Sequence, residues 1–152
     1  MGDLEISPVA HVIQLSVAPV FLLSGVGAIL AVMTNRLGRI IDRARWLEAQ
    51  LEAAPPERVS AIEADLDTLT RRARLIGPAI TLCTGTALLI STVIGVLFLS
   101  AFLQFDAAVS VSLLFIAAML AFFFGLLWFL REIFVATSNL RIGAHRVHRR
   151  KL

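Results

Sequence analysis

The stretch that decides the fold is VIQLSVAPVFLLSGVGAILAVMTN, Val12 to Asn35, followed at once by RLGRIIDRAR at 36–45. The first part holds no charged residue and exceeds the roughly 20 helical residues that cross a bilayer core. The second part puts four arginines directly after it. Working outward, two more charge-free runs follow, Leu75 to Phe105 and Ala107 to Leu130. The chain of 152 residues is 58% apolar and only 16% charged, with a mean hydropathy of +0.84. Soluble domains run near 45–50% apolar and about 25% charged. The sequence therefore predicts an all-α membrane protein with three transmembrane helices. A β-barrel is not expected, because no segment alternates apolar and polar residues with period two. The lone Cys83 excludes a disulfide scaffold.

The first run does not read as a cleavable signal peptide. Its flank carries Asp3 and Glu5 instead of a basic region, and its apolar stretch is too long. Ser7-Pro8 suits the start of its helix, with Ser as cap and Pro at the first helical position. Pro19 inside it should kink or loosen one turn. Between Phe105 and Ala107 only a short turn at Gln104–Ala108 separates the second and third spans.

All 14 lysines and arginines lie either between spans one and two or after span three. The positive-inside rule then places the N-terminus outside and the C-terminus in the cytoplasm. The net charge of +3 is therefore a topology signal, and no nucleic-acid partner is implied.

The segment 36–75 reads as a cytoplasmic antiparallel coiled-coil hairpin. Leu37, Ile40, Ala44, Leu47 and Leu51 step by 3, 4, 3, 4. Val59, Ile62, Leu66, Leu69, Ala73 and Ile76 step by 3, 4, 3, 4, 3. Both are heptad stripes, and Ala54-Pro55-Pro56 breaks them. The first stripe traces back through Met33, Leu30, Val26 and Leu23, so one helix can run from Pro8 to about Ala53. The hairpin would project by roughly 25 Å at about 1.5 Å per residue. Gly77-Pro78 is expected to break or bend the chain before span two. The organisation is one domain overall: flank and first span 1–35, hairpin 36–75, spans 76–105 and 107–132, and a basic helix or tail 133–152, with Gly143 its weak point.

Ala18-Pro19-Val20-Phe21-Leu22-Leu23 and Asn35-Arg36-Leu37-Gly38-Arg39-Ile40-Ile41-Asp42-Arg43-Ala44-Arg45 together resemble a family. It is a bacterial family of small three-span membrane proteins known only as a domain of unknown function. The resemblance covers residue 11 to about 140. It implies a bacterial inner-membrane location and this topology, and it brings no activity.

No catalytic motif is present, neither HExxH, GxSxG, a Walker loop nor paired cysteines. No enzyme, cofactor or metal is expected. His11 lies at the outer end of span one, and the pair His145 and His148 alone is too few for a metal site. The spans hold no ionisable group, which argues against an ion-coupled pump. Arg131 and Glu132 sit at the inner edge, spaced to snorkel.

Two sets of residues carry the functional expectations. Arg36, Arg39, Asp42, Arg43, Arg71, Arg72 and Arg74 form a belt near the membrane, where each arginine gains about 1 kcal/mol beside anionic headgroups. The belt would hold anionic lipid or bias a pore mouth, and Asp42 either pairs with Arg39 or Arg45 on its own helix or locks an arginine of the re-entering helix such as Arg72. Thr81, Thr84, Ser91 and Thr92 share a face of span two. They serve either close helix packing or a hydroxyl-lined path in a homo-oligomer, with Gln14 and Gln104 as rings near its entrance. The Phe122–Phe124 cluster with Trp128 and Phe129 reads as lipid-facing anchoring, and exposed Trp46 as a contact surface. The expected function is a non-enzymatic oligomeric membrane protein, an ion channel or small-solute pore. The alternatives are a scaffold or regulatory subunit, whose acidic tip (Glu48, Glu52, Glu57, Glu63, Asp65) docks a cytosolic protein, and a lipid-organising protein. Native mass spectrometry of protein released from nanodiscs decides between these by counting subunits: a closed ring of four or more copies keeps the pore. A monomer or dimer would remove the pore.

Overall fold

The computed structural model describes residues 8–147, with side chains from Ala10 to Ala136. It consists of α1 (Pro8–Leu51), α2 (Pro56–Leu103) and α3 (Ala108–Val147), and no strand occurs among the described residues. All three helices are long and apolar enough to cross a membrane. At about 1.5 Å per residue, the 44 residues of α1 extend to roughly 66 Å, about twice the hydrocarbon thickness. One continuous helix thus carries both the first apolar run and the arginines after it. It begins at Pro8 as the sequence indicates; Ser7 lies outside the described residues.

The connection between α1 and α2 is residues 52–55. Ala53 and Ala54 N–H groups bond back to the Gln50 and Leu51 carbonyls at 3.3 Å, and Arg58 N–H to Pro55 at 2.9 Å. Pro56 then starts α2, where its missing N–H costs nothing. The α2–α3 turn uses Gln104, whose φ of 54° ends α2 in the left-handed region. Asp106 caps α3, its Oδ1 accepting the Ala108 N–H at 2.9 Å.

Gly77-Pro78 does not break the chain: α2 runs through it. The Pro78 ring lies on the exposed side, away from the buried face. The register records the proline instead. Buried positions on α2 step from Ile76 to Ala79, then to Cys83, Thr86, Ile90 and Val93. The first step is three residues after a preceding three from Ala73, so the heptad slips by one residue at the proline.

The chain forms two compact units. One comprises the described residues up to Ala31 with Leu82–Phe124. Its buried positions include Val12, Ser16 and Val26 of α1, Cys83, Thr86, Ile90 and Val93 of α2, and Ala118 of α3. Thr86 ties two of these helices: its hydroxyl lies 2.9 Å from the Leu82 carbonyl and 3.4 Å from that of Ala118. This unit contains no Lys or Arg.

The other unit comprises Val32–Thr81 and the chain from Gly125 onward. Its buried residues are Met33, Ile40, Leu47, Ile62, Ile76, Ala79, Gly125 and Glu132. Leu37, Ala44, Leu51, Val59, Leu66, Leu69 and Ala73 are half-buried. Every position of the two heptad stripes from Leu37 to Ile76 is thus buried or half-buried. Every Lys and Arg among the described residues belongs to this unit.

At most 17% of the most apolar stretch of any helix is buried by the rest of the chain. Apolar surface on that scale calls for lipid or another protein chain. Leu47→Ala should lower stability by about 2–5 kcal/mol, as for other buried leucines. Gln50→Ala on the exposed side of the same turn should change it by less than about 0.5 kcal/mol. Thermal and denaturant unfolding of the helical signal in detergent measures both.

Candidate functional site: a buried carboxylate and an arginine groove

Glu132 is fully buried, the only charged side chain so placed among the described residues. Taking a carboxylate out of water is costly unless it is paired and hydrogen-bonded. Two helices supply the partners. Arg72 of α2 donates from Nε and Nη2 to Oε1 at 3.2 and 3.1 Å. Arg36 of α1 brings Nη2 to 2.9 Å from Oε2. That second contact is an ion pair without an aligned hydrogen bond, so Oε2 accepts none. The Arg36 guanidinium also stands over the Phe129 ring, 5.6 Å from its centroid. Phe129 and Glu132 are three residues apart and share one face of α3. One carboxylate thus joins all three helices within the second unit.

The two arginines keep a quarter of their side chains exposed. They line an open groove of about 380 Å³ together with Arg39, Arg43, Ile40 and Leu69. Arg36, Arg39 and Arg43 fall on one side of α1 because they are spaced by three and four. Arg43 packs over Trp46 at 4.0 Å, which holds its guanidinium and gives the exposed Trp46 a role within its own helix. Four arginines therefore line the groove, and no acidic residue does. A lining of this composition is chemically suited to an anion, since arginine recognises phosphate and carboxylate with several N–H donors at once.

The structure gathers Arg36, Arg39, Arg43 and Arg72 from the arginine belt and leaves Arg71 and Arg74 exposed outside the groove. Asp42 is exposed and pairs with no arginine among the described residues, so the expected Asp42–Arg72 lock is not the one formed. Glu132 takes that place. Its expected snorkelling also fails, because the helix face that carries it meets Arg36 and Arg72. Arg131, on the adjacent face, is exposed beside the Trp128 ring at 5.6 Å.

Thr81, Thr84, Ser91 and Thr92 are exposed on α2, roughly opposite its buried face. The hydroxyls of Thr81, Ser91 and Thr92 bond to the carbonyls of Gly77, Ala87 and Leu88 at 3.2, 2.8 and 2.9 Å. A Cβ added at Gly77, Gly85 or Gly95 would meet nothing within 4 Å. Within one chain this face packs against no helix. Gln14 is exposed on α1, and Gln104 is the turn residue. Among the described residues no cluster of His, Cys, Asp and Glu is placed to hold a metal; the pair His145 and His148 lies outside the side chains described.

Three long apolar helices, with the basic charge of the described residues in one unit, define a multi-pass membrane protein. Residues 16–142 match the model of the family described as Protein of unknown function (DUF2721), and the chain belongs to that family. No curated protein and no solved structure matches it.

The clamp should be strongly non-additive. Arg36→Gln or Arg72→Gln alone leaves Glu132 one partner. The double substitution strands a buried carboxylate and should cost about 3–5 kcal/mol, more than the sum of the singles. Adding Glu132→Gln should recover most of the loss. Unfolding of the five proteins in one detergent tests this.

Proposed function

We propose that the protein is a non-enzymatic membrane protein that binds the phosphate of anionic lipid headgroups in the arginine groove. The observation that carries this reading is the meeting of Arg36, Arg39, Arg43 and Arg72 around one cavity backed by a single carboxylate. Basic pockets beside membrane-spanning helices suit such headgroups. Lipid is the fitting source, because Arg36 directly follows the first apolar run and Arg72 lies just before the second. Ile40 and Leu69 add apolar lining for the lipid glycerol and upper acyl chain.

The rest of the reading rests on the family resemblance for the bacterial inner membrane, and on charge and pattern for orientation and hairpin. The protein sits in a bacterial inner membrane with its N-terminus outside and C-terminus cytoplasmic. The helices after the first span and before the second form a cytoplasmic coiled-coil hairpin, whose acidic tip is open to a basic protein.

A second reading, assembly into a homo-oligomer, is favoured by one observation. The face of α2 bearing Thr81, Thr84, Gly85, Ser91, Thr92 and Gly95 is hydroxylated and rich in small residues around an exposed Leu88, and all but half-buried Gly85 are exposed. Faces of this kind let membrane helices approach closely. An oligomer joined there would bring the hydroxyls to its interface or to a central path.

The lipid reading is tested on the full chain in nanodiscs of phosphatidylglycerol or phosphatidylcholine, with retained lipid counted by native mass spectrometry. Arg39 and Arg43 are exposed and make no ion pair with Glu132, so the Arg39→Gln/Arg43→Gln protein should fold normally. Losing two arginines at about 1 kcal/mol each should weaken retention of the anionic lipid roughly 30-fold. Equal retention of both lipids by the unmodified protein would overturn the reading. So would undiminished retention by the double variant.

A further inference from the structure

Glu132 presents a problem that the groove alone does not explain. A carboxylate that served only to fasten three helices would be expected to use both oxygens well. Here both Arg72 donors fall on Oε1, while Oε2 is buried near Arg36 without an aligned bond. The arginines have capacity to spare. A guanidinium carries five N–H donors, and Arg72 commits two groups, Nε and Nη2, to Glu132. Both side chains also remain a quarter exposed and line the groove. Arg36 and Arg72 therefore stand between two places for an anion. One is buried and filled by Glu132. The other is the groove of about 380 Å³, roughly the room of a dozen waters.

We infer that Glu132 is the resident anion of the arginine groove, and that a lipid phosphate competes with it for Arg36 and Arg72. The inference rests on the lipid-binding reading and adds its regulation. With Glu132 bound, one of the groove's four positive charges is offset from behind, shared between Arg36 and Arg72, and Arg39 and Arg43 present the open charge. A headgroup that first meets Arg39 and Arg43 is held beside Arg36 and Arg72 at high local concentration. Its non-bridging oxygens can take a guanidinium from the exposed side in a paired geometry. The contact given up is the weaker one, at Oε2. Each step towards the phosphate loosens the tie from α3 to α1 and α2. Occupancy of the groove and the hold on α3 are then linked, and by reciprocity whatever moves α3 changes lipid affinity.

The sign of the effect separates this from a purely structural glutamate. Retained phosphatidylglycerol is counted by native mass spectrometry for the unmodified protein, Glu132→Gln and Arg39→Gln/Arg43→Gln, all full-length and in nanodiscs of fixed composition. A resident anion, once neutralised, should raise retention several-fold and demand more salt to strip the lipid. Unchanged or lower retention in a folded Glu132→Gln protein overturns the inference.

Should that variant not fold, the unmodified protein still decides it. Glu132 labelling by an apolar carbodiimide, read by peptide mass, should rise several-fold from phosphatidylcholine to phosphatidylglycerol nanodiscs. Equal labelling overturns the inference. Labelling raised to the same degree by inorganic phosphate in phosphatidylcholine nanodiscs overturns the lipid as the competitor. Failure of the underlying lipid reading looks different: the unmodified protein then retains both lipids equally.

Discussion

A carboxylate without solvent must be neutralised or paired, and Glu132 is paired. This constraint fixes much of the second unit. Arg36 and Arg72 can both reach it only if the end of the first apolar run and the approach to the second flank the end of the third. The heptad stripes above and below that point are compatible with the same arrangement, since Met33, Ile40, Ile76 and Ala79 are buried around it. A buried ion pair is weak evidence for net stability, because desolvation offsets the attraction. Its effect is specificity: a wrong rotation of any of the three helices leaves a charge buried alone.

The groove is a by-product of that clamp and of helix geometry. Arginines at 36, 39 and 43 occupy one side of α1, and one of the three is drawn to Glu132. The other two are left facing the same opening, Arg43 steadied by Trp46. Ordinary surface arginines at such density would repel one another. The Glu132 carboxylate, set against Arg36 and Arg72, relieves part of that repulsion from behind.

Much of this was legible in the sequence, residue by residue. Charge-free runs gave the three helices, and the heptad steps from Leu37 and from Val59 gave the covered faces. Pro55-Pro56 gave the only interruption between α1 and α2. Gly77-Pro78 misled, because a proline signal does not say whether the ring faces outward. At Pro78 it does, and α2 absorbs it as a register slip. Glu132 was the larger omission. As the charge next to Arg131 at the end of an apolar run it resembles a snorkelling pair, and helical periodicity on α3 alone cannot reveal its partners. One signal was available. Arg36, Arg72 and Glu132 each lie within three residues of the end of a run, on the same side of the membrane, so all three stand at one depth. Acid and base at equal depth on neighbouring spans should have been tried as a pair before Asp42, which lies almost two turns further along α1.

The two faces of α2 show how a membrane changes the argument for packing. In water the apolar face would be buried and the hydroxylated face left to solvent, and no further partner would be needed. In lipid both faces are tolerable. Hydroxyls bonded to their own helix carbonyls, as at Thr81, Ser91 and Thr92, carry little penalty in hydrocarbon. Apolar burial supplies almost no drive between helices there, so close contact and polar ties decide association. The described chain has such ties at Thr86, which reaches the Ala118 carbonyl, and at Glu132. Both lie on surfaces already used within one chain. The uncovered small-residue face of α2 has the first ingredient, close approach, and its hydroxyls can share the second with a neighbouring backbone. A partner helix on that face would therefore be selected by shape, and the arginine groove by charge.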